Sequence, residues 1–165
     1  MEEDRLIRVM EVEADFDYQP AIHQGQTVMI KIPKIVCKLE DGRTFTLWHV
    51  PLEIVRAIRK LKGIEEDVVS DERQSLFDIM PYFQKATEEM GKAIERVTID
   101  DEIRIDDLGG VVYKATLELN LDVMKAKIPM IPSHAIFLAL VTDKPIYVSD
   151  KLVREQEERG EENGV

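Results

Sequence analysis

An α+β fold of mixed β-sheets, built from hairpins with helices packed on them, is predicted by three features of this sequence. Turn signals at Asp41-Gly42 and Asp106-Asp107-Leu108-Gly109-Gly110 join apolar, alternating segments into hairpins. Such hairpins outnumber the crossovers that parallel strands would need. Two segments, FTLWHVPLEIVRAI and KAKIPMIPSHAIFLAL, each read as strand, proline, helix, and a duplicated β-β-α unit accounts for that echo.

Taken in order, Leu6–Val12 is the first predicted strand, and the polar stretch from Asp15 to Gln26, with Pro20 and Gly25, is expected to be a loop. Val28, Ile30 and Ile32 alternate as in a half-buried strand, which places a second strand over Thr27–Leu39. Thr44–Val50 returns from the Asp-Gly turn. Pro51 then opens a helix whose Leu52, Val55, Ile58 and Leu61 are expected on one face, with Lys62-Gly63 ending it. Ser75-x-x-Asp78 reads as a capping box starting a helix that reaches Met90-Gly91, with Pro81 confined to its first turn. Ile94–Ile105 and Val111–Leu121 pair as a hairpin, and Val123–Ile128 follows as a strand. Ser133 is expected to cap a nearly all-apolar, buried helix through Leu140. Pro145–Val148 is the last strand, and Ser149 the cap of a charged terminal helix. The order is β-β-β-α-α-β-β-β-α-β-α.

At 165 residues and 44% apolar composition, residues 1–154 are expected to form one domain, with a charged, frayed tail over residues 155–165. The single cysteine, Cys37, excludes an internal disulfide and suits a reducing compartment. The start MEEDRLIR lacks the basic-then-apolar order of a secretion signal, and no apolar run approaches the ~20 residues needed to cross a bilayer. A cytoplasmic protein without a membrane partner is the expectation, and the 33% charged content fits a thermophile. The formal net charge is −11, yet the acidity sits at the ends. Residues 1–17 carry seven acids against two bases and residues 150–165 six against three, leaving the middle nearly balanced. The strongest basic group is Arg56, Arg59, Lys60 and Lys62, read as a solvated helix face.

The run IPSHAIFLALVTDKPIYVSDKLV resembles the C-terminal signature of the bifunctional nuclease domain family, in which Pro-Ser-Asp-Ala-Ile opens a helix and a Pro-Ile-apolar-Val strand follows. Matching residues are Pro132, Ser133, Ala135, Ile136, Pro145, Ile146 and Val148. Upstream, Leu47, Trp48 and Glu53 resemble the family's apolar-Trp-Ile-Gly-x-x-Glu segment, and Arg73 and Asp78 stand where Arg-Pro-x-x-His-Asp has its Arg and last Asp. The paired strands around IERVTI and VVYKATLEL are similar too, so the resemblance spans about residues 27–153. It implies a DNase or RNase that hydrolyses phosphodiesters with a divalent metal, Mg²⁺ or Mn²⁺, and a nucleic-acid partner. On that reading Glu53 and Asp78 are catalytic, and Trp48, Arg73 and Ser133 bind substrate. His134 is added as a catalytic residue and His49 as a substrate-binding one on their own chemistry, since both depart from the family pattern. The chain also departs from the pattern. His49-Val50 replaces Ile-Gly, Gln74 and Phe77 replace Pro and His, and Pro129-Met130-Ile131-Pro132-Ser133-His134 stands for Asp-x-Arg-Pro-Ser-Asp. Those substitutions remove acids and an arginine that metal ligation or phosphate contact would use.

The residues themselves leave alternatives open. Glu53 and Asp78 each fall in the first turn of a helix, where the dipole and free N–H groups favour an acid without any catalysis. Asp100, Asp101, Glu102, Asp106 and Asp107 form the densest acidic group and read as a solvated hairpin end. His49 and His134 each adjoin a proline-led helix start. If the two halves repeat, these histidines approach each other and, with Glu53, hold a metal or work as acid and base. Cys37 lies among Ile35, Val36 and Leu39 as a packed strand residue. The alternative to a nuclease is a non-catalytic, homo-oligomeric binding or regulatory module that keeps the fold, with Val28–Ile32 and Ile35–Val36 pairing between subunits.

Overall fold

A computed structural model describes residues 4–64, 73–104 and 111–162. Among them seven strands form a single mixed sheet: β1 (Leu6–His23), β2 (Gln26–Leu39), β3 (Thr44–Trp48), β4 (Ile94–Arg104), β5 (Val111–Asn120), β6 (Lys125–Met130) and β7 (Ile146–Ser149). Their order is β3-β2-β1-β7-β4-β5-β6. Neighbours run antiparallel except β4 and β7, which are parallel. Five α-helices accompany the sheet: α1 (Leu52–Leu61), α2 (Leu76–Ile79), α3 (Gln84–Ala93), α4 (Pro132–Thr142) and α5 (Asp150–Glu162). The fold is α+β. Its two outer thirds repeat, since β1-β2-β3-α1 and β4-β5-β6-α4 are each an antiparallel meander ending in a helix that starts at a proline. The repeated unit is one strand longer than the β-β-α unit expected.

The two halves close on one core. Ile7, Ile35, Phe45, Ile58, Val97 and Val148 are fully buried within it. Phe45 of β3 meets Tyr113 of β5 edge to face at 5.0 Å, so the sheet curls until strands far apart in its order touch. α4 is apolar on every side and buried, as its composition requires.

Several local readings are corrected. β1 does not end at Val12 but runs to His23, and its polar second half pairs residue by residue with β2 as far as His23 opposite Gln26. The hairpin turns on Gln24 and Gly25, both with positive φ (50° and 77°), the geometry whose twist matches antiparallel strands. In α1 the buried residues are Ile54, Val55, Ala57 and Ile58, while Leu52 and Leu61 are exposed. A strict i, i+3 row drifts about 60° per step around a helix of 3.6 residues per turn, so its two ends leave the core face. The Ser75 helix is broken. α2 ends at Ile79, Met80–Tyr82 forms a 3₁₀ turn with Pro81 near its start, and α3 restarts at Gln84. β6 begins at Lys125, two residues later than expected.

The caps expected from Ser133 and Ser149 do not form. The residue preceding α4 is Ile131, with Pro132 next and no side-chain cap bond. Ahead of α5, Ser149 Oγ hydrogen-bonds Asp4, whose carboxylate also accepts from Lys151 N at 3.3 Å. Asp4, not Ser149, thus serves the helix start. α5 continues through Glu162, past the expected start of a frayed tail at residue 155. Gln156 holds it down: its amide donates to Thr46 O and accepts from Thr46 N, both at 2.8 Å, extending the ladder beyond the free edge of β3. The turn expected at Asp106–Gly110 lies outside the described residues.

Candidate functional site

Two depressions open on either side of the β3–α1 junction. The first, of about 540 Å³, is lined by the continuous run Leu47–Pro51, by Val112 and Tyr113 of β5, by Ile131–Ser133 at the start of α4, and by Gln156 of α5. The repeat explains this meeting: the segments after β3 and after β6 are equivalent, and the curled sheet brings them together. The chain leaves β3 through His49, whose φ of 56° is rare for a residue with a side chain. Trp48 is 46% exposed and carries the Lys34 ammonium 5.3 Å above its ring. Ser133 is only 3% exposed, and its Oγ makes no hydrogen bond among the described residues. Burial pushes the Tyr113 phenol above its ordinary pKa, while hydrogen bonds from Gln156 and Arg159 pull it back. Arg159 in turn pairs with Glu102 at 2.6 Å.

The second depression, of about 430 Å³, is lined by Leu52, Glu53 and Arg56 of α1 and by Arg73, Gln74, Ser75 and Asp78. Three residues singled out from the sequence, Glu53, Arg73 and Asp78, therefore share one groove. They differ in availability. The Asp78 side chain is 8% exposed, and both its oxygens are engaged. Oδ1 accepts from Lys60 Nζ at 2.9 Å, and Oδ2 accepts from Ser75 N at 2.8 Å and Ser75 Oγ at 3.1 Å. The Ser75 hydroxyl accepts in return from Asp78 N, completing the expected capping box. Burial raises the Asp78 pKa, but the bonds from Lys60 and Ser75 outweigh it and hold the carboxyl below its ordinary value. Glu53 is exposed in the first turn of α1 and has no ion pair among the described residues.

His134 joins neither depression. Its ring packs edge-on against Phe77 at 5.1 Å, and Phe77 packs likewise on Phe137. His49 and Ser133 line the first depression, whereas His134 follows the helix to its other side. His23 is exposed near the tip of the β1–β2 hairpin.

Among the described residues no group of three or more His, Cys, Asp or Glu side chains is arranged to hold a metal ion, and the Lys60 ammonium pairs with Asp78. Of the acidic hairpin group, Asp100 accepts from Thr116 Oγ1 at 2.7 Å and Glu102 pairs with Arg159. Cys37 is fully buried, which pushes its thiol up to about 12. It is a packing residue.

Arg56, Gln156 and Tyr113 line these depressions, although in the sequence Arg56 reads as a solvated helix face, Gln156 as a frayed tail and Tyr113 as a strand residue. The strand-proline-helix echo was the signal that would have joined Leu47–Pro51 to Ile131–Ser133.

A family model for the bifunctional nuclease domain matches residues 66–160. No curated protein matches the chain. The matched span begins later than the expected residue 27 and covers α2 through most of α5. Arg73, Asp78, Ser133 and His134 lie inside it, and Trp48, His49 and Glu53 outside. No helix among the described residues is long and apolar enough to cross a membrane.

Proposed function

Because the chain belongs to the bifunctional nuclease domain family, we propose that it acts on nucleic acid, with the phosphate backbone lying in the Glu53 groove and phosphodiester hydrolysis as its reaction. The observation that carries this reading is that Arg56 and Arg73 line one groove with an exposed carboxylate. Guanidinium groups match phosphate oxygens and oppose the charge that builds as phosphorus is attacked. Hydrolysis adds water across a P–O bond. Glu53 is the groove carboxylate suited to take the water's proton, because Asp78 is committed to Lys60 and Ser75. Asp78 is on this reading a positioning residue that fixes α2 against α1. The test is cleavage and binding of labelled single- and double-stranded DNA and RNA, with Mg²⁺, Mn²⁺ or EDTA. Glu53→Gln is expected to abolish cleavage while leaving binding. Binding without cleavage under every condition would leave the alternative, a module that keeps the fold without the reaction.

A second observation favours a homo-oligomer. Residues 18–30 are thirteen consecutive positions without Asp, Glu, Lys or Arg, in a chain that is 33% charged. The run Ile128–Thr142 is uncharged over fifteen positions, but it contains the buried helix α4. Residues 18–30 instead form the distal β1–β2 ribbon, with Tyr18, Ile22, Met29 and Ile30 exposed. β3 pairs with β2 only over Lys34–Lys38, and β7 with β1 only over Leu6–Arg8, so the ribbon has no strand on either side among the described residues. Two strands alone are marginal in water, and an uncharged edge invites pairing. A second copy of the chain is the proposed cover. A monomeric mass at micromolar concentration would rule this out, whereas an oligomer that Ile22→Lys with Met29→Lys dissociates would support it.

A further inference from the structure

We propose that the depression at the start of α4 receives one unstacked nucleobase of the strand whose phosphates lie in the neighbouring arginine groove. The inference rests on the nucleic-acid reading above. Its volume of about 540 Å³ falls in the range of small-ligand sites. None of its eleven lining residues is Asp, Glu, Lys or Arg, so a phosphate is poorly served there and a neutral group well served. The adjoining groove has the opposite character, with Arg56 and Arg73. The two meet at the β3–α1 junction, where Leu47–Pro51 line one and Leu52, Glu53 and Arg56 the other. A neutral compartment beside a cationic one is the division a nucleotide itself presents.

The walls fit a base more closely than a featureless apolar ligand. Trp48 at the exposed rim and Tyr113 deeper in offer ring surfaces, and base–aromatic stacking tolerates any base because each has a π-face. A base also carries donors and acceptors in its plane. Facing them is Ser133 Oγ, on a residue 97% withdrawn from solvent and without a partner among the described residues. The hydroxyl itself is not cut off from solvent, so it is open to a ligand edge that pairs with it. Pro132 has no N–H, so of the first turn of α4 only the Ser133 N–H lies at the same wall as a donor that the helix does not use. The imidazole of His49 supplies a further polar edge.

Trp48 is the sole tryptophan, so its fluorescence reports the pocket directly. Adenosine, uridine and their 5′-monophosphates are titrated against the full chain, and fluorescein-labelled single-stranded oligonucleotides are followed separately by anisotropy. Saturable quenching by the nucleosides is expected. It should weaken about fivefold in Ser133→Ala, the loss of one hydrogen bond, and vanish in Val112→Phe, which fills the pocket from an exposed wall. The Arg56→Ala, Arg73→Ala double variant should keep nucleoside binding and lose oligonucleotide affinity. No quenching by any nucleoside, or quenching untouched by both pocket variants, overturns the base site. Oligonucleotides that still bind through Arg56 and Arg73 would leave the nucleic-acid reading standing without it. Nucleosides that bind while oligonucleotides bind no better would keep the pocket and remove the reading beneath it.

Discussion

Lys60 Nζ lies 2.9 Å from Asp78 Oδ1, an ion pair that joins α1 to α2 at the edge of the Glu53 groove. With Ser75 on the other carboxylate oxygen, Asp78 has the surroundings of a structural clamp. Asp78→Asn should destabilise the fold by about 0.5–2 kcal/mol, the range for losing a helix cap. It should affect nucleic-acid binding less than Arg56→Ala does. The pH dependence has a definite sign. The folded carboxyl titrates below its unfolded value, so its contribution is complete above an unfolded pKa of about 4 and is lost as pH falls through the lower folded value. Urea denaturation at pH 7 and pH 3 should show a fall in stability that is smaller in Asp78→Asn.

Gln156 is the lateral partner of Thr46 on the outer edge of β3. Gln156→Ala strands one N–H and one C=O that are otherwise paired, at a cost of about 1–3 kcal/mol. The same variant should alter the first pocket, whose wall Gln156 forms. Thermal denaturation measures the first effect and nucleoside titration the second. An unchanged melting temperature would show that water replaces the amide without loss.

Cys37 has no exposure, and its thiol is pushed up to about 12. At pH 8 in the native state it should resist aromatic disulfide reagents and alkylation, reacting only as fast as the chain opens. Release in denaturant should be one thiol per chain. Fast native labelling would contradict the packing described around β2.

The β1–β2 ribbon carries a concentration signature. If a second copy covers Tyr18, Ile22 and Met29, the melting temperature should rise with protein concentration, and Ile22→Lys with Met29→Lys should make it concentration-independent. The body of the fold keeps its core in that variant, because these side chains are outside it.

Periodicity was a good guide where burial is one-sided or complete, and a poor one where pairing alone decides. The all-apolar α4 and the alternating strands β4 and β5 were legible because their side chains report a core. The second half of β1 was not, because Asp15, Gln19 and Pro20 read as loop and only the register with β2 makes them strand. Gln156 was illegible for a related reason: its partners are backbone atoms 110 residues away. At the site, Glu53, Arg73 and Asp78 were picked out singly, and the α1–α2 packing brought them into one groove. His134 was expected at the same centre through the repeat. Pro132 and Ser133 reach instead the pocket that His49 lines, and the next residue around the helix points about 100° away, toward Phe77.

The central claim, that the Glu53 groove is where nucleic acid is held and cut, is tested most directly by one comparison. Labelled single-stranded RNA and DNA are incubated with wild type, Glu53→Gln and the Arg56→Ala, Arg73→Ala double variant, with cleavage and anisotropy read on the same samples. The account predicts cleavage by wild type, binding without cleavage in Glu53→Gln, and loss of both in the arginine variant. Binding and cleavage undiminished in all three proteins would contradict it.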